Sequence, residues 1–330
     1  MTGTWLFRVA SRPEVGGGHV GRCRTLALAM RPHSEVLFVL DRGGDAWIGR
    51  LAEWCLPAVV VGAEGGGPWA GCVLDGYDFG EADIGEWRAR APRVVVIVDS
   101  DVAPSGADIV VNQSTIEEPP GGGTAAAGPR VLAGPRYALV DPAYAALARS
   151  PQPERAESVF ASFGLRDSVD ATGLCLAALA LLAREGYRPR VGVAIGSRAP
   201  HLDRLHRQVA ELGPGARLFV DLADLTEPLA EHDMAVGSGG VGLLERMAAG
   251  VPSVTVVAAE NQRRRVAWAA GAGATADAGA VAELDANMLA DEIRRLADDV
   301  ERRRAMAATG RALIDGRGAE RVAERLLAAA

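Results

Sequence analysis

Lysine is absent from all 330 residues, so every one of the 35 basic side chains is an arginine. That excludes a phosphate loop of the G-x-x-x-x-G-K-[ST] kind and any Schiff-base chemistry on lysine. Aromatic residues are scarce at 5%, although hydrophobic residues reach 49%; the cores must be built mostly from Ala, Val and Leu. The four cysteines, Cys23, Cys55, Cys72 and Cys175, form no C-x-x-C pair, which fits buried thiols in a reduced, cytoplasmic protein. Among the histidines, His19, His33, His201, His206 and His232, there is no H-E-x-x-H, and His201 and His206 are badly spaced for a shared helical face. No charged segment leads into a long apolar one at the N-terminus, and no apolar run reaches membrane-spanning length; neither a signal peptide nor a membrane span is read. A net charge of −7 argues against nucleic acid or an anionic membrane as the main partner.

What is present is alternation. Val36–Leu40, Ala58–Val61, Cys72–Leu74, Val94–Val98 and Ile109–Val111 are short and rich in β-branched residues, with helix-periodic segments between several of them. This predicts a parallel sheet with helices on both faces. Residues 117–128 are rich in Pro, Gly and Ala and read as a surface loop. Ser150-Pro151-Gln152-Pro153 is the best linker candidate. Beyond it, strands are expected at Ser158–Ser162, Arg190–Ile195, Ala216–Val220, Asp233–Val236 and Ser253–Val257. Helices are expected at Thr172–Glu185, Leu202–Leu212, Val241–Ala249 and Gln262–Ala270. The tail from Asp285 reads as helical, broken near Gly310 and Gly316. The predicted organisation is two doubly wound α/β domains, residues 1–150 and 154–330, each binding ligand beyond the carboxyl ends of its strands, with a cleft between them.

Gly16-Gly17-Gly18-His19 follows the first apolar run and precedes an apolar periodic segment, Val20, Cys23, Leu26, Ala27 and Met30. Consecutive glycines let backbone approach a ligand without Cβ interference. A histidine in that setting can take a proton from water or a hydroxyl near neutral pH. Gly16, Gly18 and Gly21, with Asp41, also match a dinucleotide fingerprint. Ser11 to Val15, however, separate the strand from the first glycine, whereas that fingerprint begins at the strand end. The plain alternative is a glycine-rich turn carrying an idle histidine.

In the second half, Ser238-Gly239-Gly240-Val241 follows a strand immediately and opens a helix. Free backbone N–H groups at a helix start suit a diphosphate. Glu245, about one turn in, could accept from ribose hydroxyls or be a solvated helix residue. Asn261 and Gln262, at the end of the next strand, could read a sugar or base, or merely start a helix. Phe163-Gly164 forms another strand-end turn, followed by Asp167 and Thr172, with Asp170 or Thr172 as the helix-cap candidates. In the first half, Tyr77 could stack on a sugar and Asp75 could orient an imidazole. Asp99 and Asp101 invite a metal, but no third ligand is suitably spaced.

Together these pieces resemble the nucleotide-sugar hydrolases of the pseudaminic acid pathway and the related spore-coat polysaccharide proteins. The matching segments are GGGHVGRCRTLALA, VLDGYDF, VVIVDSD, ADIVVNQS, LAGPRYALVDPAY, SFGLRD with DAT, and SGGVGLLERMAAGVPSVTVV followed by AENQ. The resemblance implies a GT-B fold of two Rossmann-like domains and loss of UDP from a UDP-linked 2,4-diacetamido-2,4,6-trideoxy sugar, water attacking the anomeric carbon. His19 is then the general base. Gly17, Gly18 and Arg22 shape the sugar and phosphate side, and Tyr77 fills an aromatic position. Phe163, Gly164, Ser238, Gly239, Gly240, Val241, Glu245, Asn261 and Gln262 bind substrate. No metal or redox cofactor is implied. The partners implied are the UDP-sugar and other enzymes of the same pathway, which serves surface polysaccharide and flagellin glycosylation. Three departures are visible. Gly17 stands where the family usually has Thr, Leu165 follows Gly164 where a second glycine is common, and Asp99-Ser100 replaces an Asp pair.

Two other functions share these features. A GT-B glycosyltransferase would use the same base on an acceptor hydroxyl, and UDP release would then require acceptor. A non-catalytic nucleotide-sugar binding protein would hold its ligand without turnover.

Overall fold

The computed structural model describes residues 3–12, 15, 17–99, 104, 106–113 and 129–328. The expected loop at residues 117–128, and Gly16, Ser100 and Asp101, lie outside the described residues. The chain forms two compact units, Met1–Asp141 with Arg317–Ala330, and Pro142–Gly316.

The first unit contains strands β1 (Thr4–Val9), β2 (Val36–Leu40), β3 (Ala58–Val60), β4 (Trp69–Asp75), β5 (Val94–Ile97), β6 (Ile109–Asn112) and β7 (Arg130–Ala133). They pair in the order β3-β2-β1-β4-β5-β6-β7, all parallel. Its long helices are α1 (Gly18–Met30), α2 (Ala46–Glu53) and α3 (Glu81–Arg88). A parallel sheet covered on both faces needs strands that are apolar on both sides, and the Val-Val-Val-Ile of β5 is buried throughout. On one face Val73, Val95, Ile97 and Val111 pack against Val20, Cys23 and Leu26 of α1. On the other, Leu74, Val94, Val96 and Val110 pack with Ile84 and Trp87 of α3.

The second unit starts with the short α4 (Pro142–Ala145). Strands β8 (Ser158–Ser162), β9 (Arg190–Ile195), β10 (Ala216–Val220), β11 (Met234–Ser238), β12 (Ser253–Val257) and β13 (Ala276–Ala280) follow. The order is β10-β9-β8-β11-β12-β13, again all parallel. The helices are α5 (Ala171–Arg184), α6 (Leu202–Glu211), α7 (Thr226–Glu231), α8 (Val241–Ala249), α9 (Arg263–Gly271), α10 (Ala286–Asp298) and α11 (Val300–Leu313). A last helix, α12 (Gly318–Ala328), belongs to the first unit.

The boundary differs from the expected one in two ways. The Ser150–Pro153 segment is not a free linker. Arg149 donates to the carbonyls of Leu229, Ala230 and His232, and Arg303 donates to Gln152 Oε1 and the Pro153 carbonyl. These contacts bind the segment into the second unit. The tail is also split. Ala319, Val322, Ala323 and Leu326 of α12 give it an apolar stripe that joins the core beside α1. Gly310 does not break the tail but lies inside α11, where a Cβ would come within 2.8 Å of the Met247 carbonyl oxygen. One break falls at Asp299, whose side chain caps α11 by accepting from the Arg302 N–H; the other falls as expected near Gly316, between α11 and α12.

In each sheet the first strand lies beside the fourth, so successive connections run to opposite sides of that pair. In such sheets ligands bind outside the carboxyl ends of the strands at this switch point. In the first unit it lies between β1 and β4, and in the second between β8 and β11.

Candidate active site

His19 stands at the first switch point. It is not in the glycine loop but in the first turn of α1, whose N-cap is Gly17. Its residue is only 4% exposed. Asp75, the last residue of β4, has no exposure, and its Oδ1 lies 2.6 Å from His19 Nδ1. The same oxygen accepts from Arg22 Nη2 at 2.6 Å, and Oδ2 accepts from Arg22 Nε at 2.7 Å and Cys23 Sγ at 3.3 Å. Burial alone would raise the Asp75 carboxyl, but the Arg22 charge, with the Arg22 and His19 hydrogen bonds, outweighs it and holds it below the usual carboxylate range. Asp75 is therefore an anion that can only accept. Nδ1 must then carry the ring proton toward it, which leaves Nε2 with the lone pair. Among the described residues no hydrogen bond engages Nε2. An imidazole oriented in this way by a buried carboxylate is placed to remove a proton through Nε2.

Arg22 does not point toward a substrate. All three guanidinium nitrogens are engaged, with Nη1 donating to Asp99 at 2.8 and 2.9 Å while the other two hold Asp75. Burial would lower its pKa, but Asp75 and Asp99 more than offset that and push it well above its ordinary value. The expected ligand residue is thus a fixed cation joining two carboxylates. Tyr77 lies at the edge of this network, 64% exposed. Its ring meets the His19 ring edge-on at 4.5 Å, and its hydroxyl donates to Asp99 Oδ2 at 3.3 Å. Asp41, the acid of the dinucleotide fingerprint, is occupied, since Oδ1 accepts from Arg8 Nη2 at 2.6 Å and Oδ2 from the Ser11 N–H at 2.9 Å.

At the second switch point, β11 runs into Ser238-Gly239-Gly240 and then α8, with Gly240 as N-cap and no side-chain cap. The set of free donors is not the expected one. The Gly239 N–H is held by Gln262 Oε1 at 3.1 Å and the Val256 carbonyl at 3.2 Å. Gly240, Val241 and Gly242 have no hydrogen bond to their N–H groups among the described residues. In a trans peptide the N–H points away from its own carbonyl. Arg265 Nη1 donates to the Gly239 carbonyl at 3.1 Å, so the Gly240 N–H is turned away from Arg265. Three free donors at the positive end of a helix form an anion site.

Gln262 is a brace rather than a reader of substrate through its oxygen, because Oε1 also accepts from the Ala258 N–H at 3.0 Å. Asn261 is exposed in the short 3-10 turn Glu260–Gln262. Glu245 is half-buried, and its Oε2 lies 3.8 Å from the position a Cβ on Gly242 would take. Phe163 departs from the expectation altogether: it is 5% exposed and belongs to the second core. Gly164 beside it adopts φ +97°, a left-handed conformation that favours glycine. Asp167 caps α5, accepting from the Ala171 and Thr172 N–H groups at 3.0 and 2.7 Å.

Two supporting residues went unnoticed in the sequence, Arg246 and Arg265, which hold the carbonyls of Ser238 and Gly239. The signal was there for Arg246, a charge set between the buried Leu243, Leu244 and Met247 on the apolar stripe of α8. Among the described residues no group of three or more His, Cys, Asp or Glu side chains could hold a metal ion, and no helix is long and apolar enough to cross a membrane.

No family model matches the chain. One curated relative, the spore coat polysaccharide biosynthesis protein SpsG of Bacillus subtilis (strain 168), is 27% identical over 128 residues. That match spans 39% of this chain and 38% of the relative's length. Solved structures match over nearly the whole chain. MurG of Acinetobacter baumannii superposes with TM-score 0.67 at 13% identity, covering 99% of this chain and 100% of its own. The spinosyn rhamnosyltransferase SpnG complexed with thymidine diphosphate gives 0.62 at 14%, covering 95% of each. The calicheamicin glycosyltransferase CalG4 gives 0.63 at 16%, covering 99% and 98%. The fold, two parallel-sheet α/β domains, is that of the GT-B glycosyltransferases.

Proposed function

We propose that the chain is a nucleotide-sugar enzyme that hydrolyses a UDP-linked sugar, with His19 as general base. The observation that carries this reading is the His19 Nδ1 to Asp75 Oδ1 contact at 2.6 Å, which leaves Nε2 as the acceptor. In the reaction, Nε2 takes a proton from water while the water oxygen bonds to the anomeric carbon. The bond from that carbon to the phosphate oxygen breaks, and UDP leaves with the electron pair. In the second unit, the free N–H groups of Gly240, Val241 and Gly242 suit a diphosphate. Asp75 stabilises the imidazolium that forms, and Arg22 keeps Asp75 ionised.

Burial of His19 supports water as the nucleophile, since a side chain 5% exposed beneath the Tyr77 ring admits a small molecule most readily. The 2,4-diacetamido-2,4,6-trideoxy identity of the sugar and its place in nonulosonic acid synthesis rest on sequence resemblance alone. A second reading, transfer to an acceptor hydroxyl, is favoured by the glycosyltransferases of the same fold. Incubation with a panel of UDP- and dTDP-sugars in ¹⁸O-water decides between them. Label entering the free sugar without added acceptor is expected. Nucleotide release that appears only with an acceptor sugar would overturn hydrolysis. His19→Ala is expected to lower turnover by about 10²–10⁴-fold, the usual worth of a positioned base, and wild-type turnover in that variant would remove His19 from the mechanism.

A further inference from the structure

Arg246 is 3% exposed, and no carboxylate lies within ion-pair distance of it among the described residues. A buried charge is ordinarily paired, or its donors are fully hydrogen-bonded. Two of the other buried arginines, Arg22 and Arg303, obey this rule. Arg22 sits between Asp75 and Asp99. Arg303 has no exposure and donates from all three nitrogens to oxygens of Gln152, Pro153, Glu154, Leu296 and Ala297. Arg246 obeys neither condition. Only Nη2 is engaged, with the Ser238 carbonyl at 2.9 Å and Thr255 Oγ1 at 3.2 Å. Nε is buried without a partner, and Nη1 makes no hydrogen bond among the described residues.

Its position explains what the charge faces. Long side chains on a helix lean toward the N-terminus, so Arg246, in the second turn of α8, reaches back under the first. Nη1 lies 2.5 Å from where a Cβ on Gly237 would be and 3.5 Å from one on Gly242. The guanidinium therefore fills the space those two glycines leave open, beside Gly242, the last of the three residues with free N–H groups at the start of α8. Burial lowers its pKa to about 10, with Glu245 opposing, so it remains a cation at neutral pH.

We propose that Arg246 is a positioning residue whose counter-charge is the ligand: the diphosphate bound at the Gly240–Gly242 turn neutralises it, so the site selects nucleoside diphosphates over uncharged nucleosides. This rests on the nucleotide-sugar reading and names the charge that the second unit selects.

The test measures UDP against uridine, and dTDP against thymidine, by calorimetry on the full chain. Arg246→Gln removes the charge but can still donate to the Ser238 carbonyl; Arg246→Lys keeps the charge without the planar fork. Wild type is expected to prefer diphosphate over nucleoside. The Gln variant should lose at least about 30-fold of that preference, the scale seen when a desolvated charge loses its partner, with nucleoside affinity unchanged, and the Lys variant should retain most of it. A merely structural arginine predicts the opposite: both variants weaken diphosphate and nucleoside equally, and that result overturns the proposal. So does a wild type with no preference in either pair. If the Gln variant does not fold, the Lys variant decides alone, retained preference supporting the charge role and lost preference in a folded protein refuting it. Arg246-dependent UDP binding without turnover would sink hydrolysis and leave this inference standing.

Discussion

Nδ1 of His19 and Oδ1 of Asp75 meet at 2.6 Å, with the carboxylate sealed from solvent. The contact assigns the ring proton and makes the two side chains one functional unit. Asp75→Asn keeps an oxygen of similar shape but removes the charge and can present an N–H to the ring, which favours the wrong tautomer. Its kcat for nucleotide release is expected to fall by about 10²–10⁴-fold with KM little changed. Members of one unit are not additive, so the double variant with His19→Ala should be no slower than the worse single variant. Steady-state kinetics of the three variants checks this, and multiplicative losses would show that the residues act separately.

The same carboxylate sets an acid limit on the first unit. Its folded pKa lies below the ordinary 3.8. A carboxyl depressed by folding stabilises the native state above its unfolded value, and the stabilisation disappears as pH falls through the folded value. Protection of β4 and α1 amides from hydrogen exchange should therefore hold from neutrality to about pH 4 and drop steeply below it. Asp75→Asn should be less protected at neutral pH, because it leaves Arg22 short of a counter-charge, and flatter across the acid range. Parallel profiles for the two proteins would remove Asp75 from the acid transition.

Sheet, helices and both strand-end turns were legible because parallel strands buried on both faces announce themselves as short β-branched runs. Val36–Leu40, Ser158–Ser162 and Ser253–Val257 fall at their expected limits. The strand β13 carries no such signal: Ala-Asp-Ala-Gly-Ala is held by pairing with β12, not by propensity. Long-range partnerships were also hidden. Nothing local says that Arg22 serves Asp75 and Asp99, more than 50 positions away, or that Gln262 uses its oxygen on the N–H of Gly239. Residue type pointed to a polar site, and only the fold shows which polar groups are already taken.

The two glycines of the anion turn should respond differently to a methyl group. On Gly239 a Cβ would overlap Val266 Cγ2 and lie 3.1 Å from Gln262 Cβ, both beneath the turn, whereas on Gly240 the nearest side-chain atom is 3.8 Å away. Gly240 also has φ −72°, open to any residue. Gly239→Ala is expected to cost about 1–3 kcal/mol, as overpacking does, and to weaken UDP binding by displacing Gln262. Gly240→Ala should leave the fold unchanged. Denaturant unfolding and UDP titration of both variants test the contrast, and equal losses would mean the turn tolerates neither residue for reasons other than packing.

His232 gives the second unit its own pH dependence. It is 4% exposed, its Nδ1 donates to the Pro228 carbonyl at 2.7 Å, and its ring packs on Phe160 with centroids 5.4 Å apart. Burial lowers its pKa from the ordinary 6.5. The Pro228 hydrogen bond, Glu231 and Asp233 oppose that shift, and Arg190 adds to it. A histidine depressed by folding is held neutral, so its contribution is complete above the unfolded value and is lost as pH falls through the folded one. Hydrogen exchange at β8 and β9 should therefore speed up on acidification from pH 7.5 toward 5. His232→Asn supplies an N–H at nearly the place of Nδ1 without titrating in this range. Its exchange rates, corrected for intrinsic chemistry, should change much less over the same interval. If wild type and variant respond alike, the pH dependence belongs to another group, and the neutral state of His232 contributes nothing to the second unit's stability.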